Sequence, residues 1–117
     1  MNIAAVRKYC ASLPRATSDI KWGVDLVFSV GDRMFCVACV NSSGNATVSF
    51  KVDDDLFLPH TDREGFIPAP YMARAKWVQV NDLKKVSDAE LKSLIKRSHE
   101  LVAMKLTKKR HAELGIG

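Results

Sequence analysis

The sequence predicts an α+β fold, an antiparallel sheet with an N-terminal and a C-terminal helix packed on one face. Three observations predict it. Apolar residues recur every three or four positions at the start, then alternate, then return to helical spacing. Gly31-Asp32 and Asn41–Asn45 punctuate the alternating stretch as turns of an antiparallel meander. Ser87-Asp-Ala-Glu90 has the form of a capping box and marks where the last helix begins.

The 117 residues make one domain, residues 1–117, able to bury about two-thirds of its extended surface. Residues 2–11 form the first helix, because Ile3, Val6 and Cys10 share a face, and Leu13-Pro14 ends it. Residues 24–30 alternate, with Val24, Leu26, Phe28 and Val30 on one side. Residues 33–40 return as a strand apolar on both faces, which suits the centre of a sheet. Residues 46–52 alternate again through Ala46, Val48, Phe50 and Val52. Asp53 is placed to cap a short helix, with Asp54 and Asp55 at its positive end and Leu56 and Phe57 turned inward. The prolines of Gly65–Pro70 favour a rigid extended connection, and residues 76–80 form the last strand. Residues 88–106 close the fold as a helix with Leu91, Leu94, Ile95, Ser98, Leu101, Val102 and Leu106 on its inner face.

Chemistry-bearing motifs are few. Cys36-Val-Ala-Cys39 lies in a strand, where residues three apart point to opposite faces, and no second such pair completes a zinc site. With Cys10 the cysteines number three, and they are expected to be reduced. His60, His99 and His111 have no ligand spacing, and Asp53–Asp55 lacks the alternation of a calcium loop. There is no glycine-rich phosphate loop. The sequence therefore assigns no catalytic residue, no metal ligand and no cofactor. No apolar run approaches the ~18 residues of a membrane span, and no signal-peptide core follows Met1. A cytoplasmic protein with no membrane partner is expected.

Charge is the positive signal. The chain carries +5, and its distribution is uneven. Residues 1–60 hold six Lys/Arg and six Asp/Glu, whereas residues 61–117 hold twelve against seven and supply the whole excess. A basic half favours acidic partners, nucleic acid first among them. Lys92 and Lys96 flank the last helix. Arg74 and Lys76 sit beside Tyr71 and Trp77, an arrangement in which cations meet phosphate and an aromatic ring stacks on a base. Trp77 equally suits a core, as large aromatics do. Trp22, at the entrance to the meander, is placed to close the hydrophobic layer. The candidate nucleic-acid-binding residues are Lys51, Arg74, Lys76, Lys92 and Lys96, with Tyr71 and Trp77 as aromatic contacts.

Several of these segments are also landmarks of a family. Tyr9–Pro14, Ile20-Lys-Trp-Gly23, Phe28–Phe35, Ser49-Phe-Lys51, Gly65–Arg74, Lys76-Trp-Val78 and the Leu91–Leu106 helix containing Ser98 together span nearly the whole chain. On these the sequence resembles the MmcQ/YjbR family of small bacterial proteins. The resemblance implies a two-layer sandwich like that of the frataxin-like CyaY fold, and it carries the DNA-binding role proposed for that family. It supplies no catalytic triad and no metal constellation, and a frataxin-like architecture does not by itself confer iron binding.

The sequence reading is thus a non-enzymatic DNA-binding accessory protein that contacts phosphates through a basic surface, with DNA ahead of RNA. A small protein-interaction or structural module with an acidic protein partner is the alternative. A small-molecule enzyme using the Tyr71–Trp77 cleft comes last, because no base–nucleophile pair is evident.

Overall fold

The computed structural model describes residues 1–21, 25–40, 44–70 and 72–105. Helix α1, Ile3–Ser12, starts where the Asn2 side chain accepts a hydrogen bond from the Ala5 N–H at 2.8 Å. It ends at Leu13, which is extended as the residue before a proline must be. Six strands follow among the described residues: β1 Ala16–Lys21, β2 Asp25–Val30, β3 Arg33–Val40, β4 Ala46–Lys51, β5 Phe66–Pro68 and β6 Trp77–Val80. They form one sheet in the order β1-β2-β3-β4-β6-β5, with each neighbouring pair antiparallel. A short helix α2, Phe57–Thr61, follows β4, and α3, Asp88–Ala103, follows the sheet.

The expected strands and both expected helices are present, with α1 and α3 on the same face. Val6 and Cys10 of α1 and Leu91, Ile95 and Val102 of α3 pack with Phe28, Val30, Cys36, Val48, Phe50, Val78 and Val80 in the main core. Gly31 and Asp32 both have positive φ (56° and 67°), the backbone of the two-residue turn whose twist matches its strands.

Three features differ from expectation. Strand β1 is one, formed from Ala-Thr-Ser-Asp-Ile-Lys, which shows no apolar alternation; its single large apolar side chain, Ile20, is 65 % exposed. The Gly65–Pro70 connection is more than a connection, since Phe66–Pro68 pairs with β6 as an edge strand that tolerates a proline. The third is the short 3-10 turn Asp54–Leu56, which Asp53 precedes without a side-chain capping bond. Its carboxylate grips Arg97 of α3 instead, and Leu56 points to solvent while Phe57 packs on the core. The capping box at α3 is half made: Ser87 Oγ accepts from the Glu90 N–H at 3.1 Å, but the Glu90 carboxylate reaches Arg63. The expected positions of Trp22, Val24, the start of the Asn41–Asn45 loop, Leu106 and His111 lie outside the described residues.

The sheet's other face is not bare. Val27, Val37, Ala69 and Trp77 form a second small core there, with Met34 and Met72 packed against it.

Candidate nucleic-acid interface

One end of the sheet gathers cations from four elements. The β2–β3 turn delivers Arg33, the end of β4 delivers Lys51, the chain before β6 delivers Arg74 and Lys76, and the end of α3 leads to Lys105. Arg33, Lys51 and Lys105 line a common pocket of about 310 Å³ whose floor includes Met34, Met72, Trp77 and Val102. Arg74 stands exposed on the 3-10 turn Ala73–Ala75. Lys76 follows it in the left-handed region (φ 64°), with its ammonium 5.2 Å from the centre of the Phe57 ring.

Lys51 is the unusual member. It is 8 % exposed, and its ammonium donates to the Ala75 carbonyl, a neutral acceptor. Burial holds its pKa below the ordinary lysine value, and the nearby Lys105 and Lys76 ammoniums lower it further against the opposing pull of Asp54. Its backbone is fixed as well. A bulge interrupts the β2–β3 register near Phe28/Ser29, and the β3–β4 pairing stops at Cys36–Phe50, leaving Phe35 and Lys51 outside the β3–β4 ladder, though Lys51 still pairs with Trp77 of β6 on its other side. Ser98 of α3 fills the gap. Its hydroxyl accepts from the Lys51 N–H at 2.9 Å and donates to the Phe35 carbonyl at 2.6 Å.

The other expected contacts are elsewhere. Lys92 and Lys96 are exposed on α3, one turn apart. Lys92 faces α1, its ammonium 5.9 Å from the Tyr9 ring centre, roughly 16 Å of helical rise before the end of the helix. The structure brings Lys51, Arg74 and Lys76 to one end and leaves Lys92 and Lys96 on the helix layer. Trp77 is 5 % exposed and packs in the second core, so its ring is not displayed as a free stacking surface. Tyr71 lies outside the described residues. Arg33 was not picked out as a phosphate contact by sequence reasoning, because only the tertiary fold brings the start of β3 beside the end of α3.

The groove on the far face of the sheet has a different chemistry. A groove of about 590 Å³ on the far face is lined by Met34, Val37, Pro70 and Met72 with Asp25, Cys39, Ser49 and Gln79. Burial pushes the Cys39 thiol up, and a hydrogen bond with Thr47 at 2.9 Å opposes this while Asp25 adds to it. Cys39 is therefore a thiol, not a thiolate, at neutral pH. Cys36 faces the main core on the opposite side of the sheet, as alternation requires. There the neighbouring Cys10 thiol and burial hold its proton on. Of the histidines, His99 Nε2–H donates to the Pro14 carbonyl at 2.7 Å, and His60 stacks on Phe66 with neither nitrogen hydrogen-bonded. Burial, then Arg63, lowers the His60 pKa, so it is neutral at pH 7. Among the described residues no cluster of three His, Cys, Asp or Glu side chains could hold a metal ion.

The family model for YjbR matches residues 11–101, which include β1 to β6 and most of α3. The chain belongs to the YjbR family. Protein DR2400 of Deinococcus radiodurans, a DUF419 protein, has a similar structure with a TM-score of 0.81 at 26% identity, covering 99% of this chain and 89% of that one. A protein from Pseudomonas syringae aligns with a TM-score of 0.74 at 21% identity, over 87% of this chain and 99% of its own length, a likeness of fold. No curated protein matches this YjbR chain. Among the described residues no helix is long and apolar enough to cross a membrane.

Proposed function

We propose that this YjbR protein binds nucleic acid, DNA ahead of RNA, through phosphate contacts at the basic end of its sheet. The observation that supports this reading is the convergence of Lys51, Arg74 and Lys76 with Arg33 and Lys105 from four separate elements. Clustered cations supply the sequence-independent part of nucleic-acid affinity, and none of these side chains belongs to a base-reading helix. Lys92 and Lys96 form a second basic station on the helix layer, available to a duplex long enough to bend around the molecule. The same reading treats residues 1–117 as one cytoplasmic domain and keeps the frataxin-like CyaY label for its two layers. Both terminal helices on one face of an antiparallel sheet support that label.

A fluorescence-anisotropy titration with duplex and single-stranded oligonucleotides at several salt concentrations tests the proposal. Affinity should fall linearly on logarithmic axes, and K76Q should lessen the slope by about 0.9, one phosphate's worth. Salt-independent binding, or none, by the folded monodisperse protein overturns it. An acidic polypeptide bound as tightly as DNA would instead favour the protein-interaction reading.

A further inference from the structure

The pocket beneath Lys51 has a shape and a charge that a generic basic surface does not need. Two ammoniums and a guanidinium line about 310 Å³, and the remaining wall is apolar. Among the described residues, neither Arg33, Lys51 nor Lys105 forms a salt bridge with a carboxylate. Asp54 acts on Lys51 through its field, from an adjoining groove that Lys51 and Lys105 also line with Asp53 and Asp55, Asp53 being paired with Arg97. A buried ammonium facing like charges is costly unless an anion joins it. An internal phosphodiester brings one negative charge, a poor match for the three cationic side chains of the lining. A terminal phosphate brings up to two charges on a group with one substituent.

We propose that this pocket seats a terminal phosphate, that of a nucleoside monophosphate or of a phosphorylated nucleic-acid end. Arg33, Lys51 and Lys105 hold the phosphate oxygens, and the sugar or base lies against Met34 and Met72, the half-buried apolar side chains of the lining. Arg33 suits the phosphate because its planar fork offers two parallel donors, while the lysines act as point charges. The proposal rests on the nucleic-acid reading for the longer ligand only, since a free nucleotide satisfies the pocket equally.

Calorimetric titration of the full chain separates the cases. The ligands are one short oligodeoxynucleotide in 5′-phosphorylated, 3′-phosphorylated and hydroxyl-ended forms, a nucleoside 5′-monophosphate, its nucleoside, and inorganic phosphate. At least one phosphorylated form should bind about tenfold more tightly than the hydroxyl-ended strand, a ratio that two lost charge-assisted contacts readily produce. K105Q and R33Q, at exposed positions that the core does not use, should abolish that ratio, and K8Q, at an exposed position on α1, should leave it intact. Equal binding of all three strands overturns the pocket while leaving the nucleic-acid reading in place. Nucleotide binding without strand binding supports the pocket and overturns the nucleic-acid reading. Inorganic phosphate bound as tightly as the nucleotide overturns the part assigned to Met34 and Met72.

Discussion

Ser98 replaces with one hydroxyl the two backbone partners that the sheet loses beside the bulge. Because it donates to Phe35 and accepts from Lys51, Ser98→Ala leaves a buried carbonyl and a buried N–H without partners. The expected cost is about 1–3 kcal/mol, read as a lower urea midpoint with an unchanged slope. Acid should expose another pair of residues. Hydrogen bonding to Arg97 holds the Asp53 carboxyl below its ordinary pKa, and hydrogen bonding to Arg63 does the same for Glu90. A carboxylate depressed in the folded state contributes stability above its unfolded pKa and loses it as pH falls through the folded value. Melting temperature should therefore drop below about pH 4, and an R63Q/R97Q variant should show a flatter decline over that window. The thiols give a third measurement. In native protein at neutral pH, Cys39 should alkylate slowly, and buried Cys10 and Cys36 should react only on unfolding.

At the scale of elements, legibility followed burial. Helix α3 was readable because Leu91, Ile95, Ser98 and Val102 repeat at helical spacing and are all buried. Strands β2 to β4 were readable because one or both faces are apolar and packed. Strand β1 was not, since it lies at the sheet's edge with most side chains in water, so nothing demands an apolar pattern of it. The far-face core was half legible: Trp77 announced a large apolar group, but its partners Val27 and Val37 come from strands that also serve the main core. The two variants that follow from this contrast are opposite in size. Ile20→Thr should change stability by no more than about 0.5 kcal/mol, as exposed positions do. Trp77→Ala should cost about 3 kcal/mol or more and loosen the chain from Ala69 to Trp77, visible as faster amide exchange in that segment.

For the molecule as a whole, net charge was the part of the proposed interface that composition carried, and its location was not. The excess of positive residues after position 61 pointed to Arg74 and Lys76, yet Lys51 and Arg33 belong to the electrically balanced half. Two of the cations in the pocket thus come from the half of the chain with no net charge. Only the antiparallel return of β3 and β4 to the same end of the sheet places them beside Lys105.

The edges of that sheet have a consequence for how copies of the protein behave in a crowded solution. An outermost strand offers unpaired N–H and C=O groups to any passing strand, and long flat apolar edges polymerise. Here the two outermost strands discourage such pairing by unrelated means. Strand β5 is three residues long and spends one of them on Pro68, which has no N–H to give. Strand β1 is longer, and it relies on exposed Thr17, Ser18 and Asp19, whose affinity for water opposes drying of a strand-to-strand seam. Asp19 on one strand would also face its counterpart's negative charge in many registers of a self-pairing. The composition that made β1 invisible to a reading by hydrophobic pattern is therefore what opposes strand pairing along the open side of the sheet. Asp19→Val should leave the fold intact and raise the concentration-dependent light scattering of the folded protein.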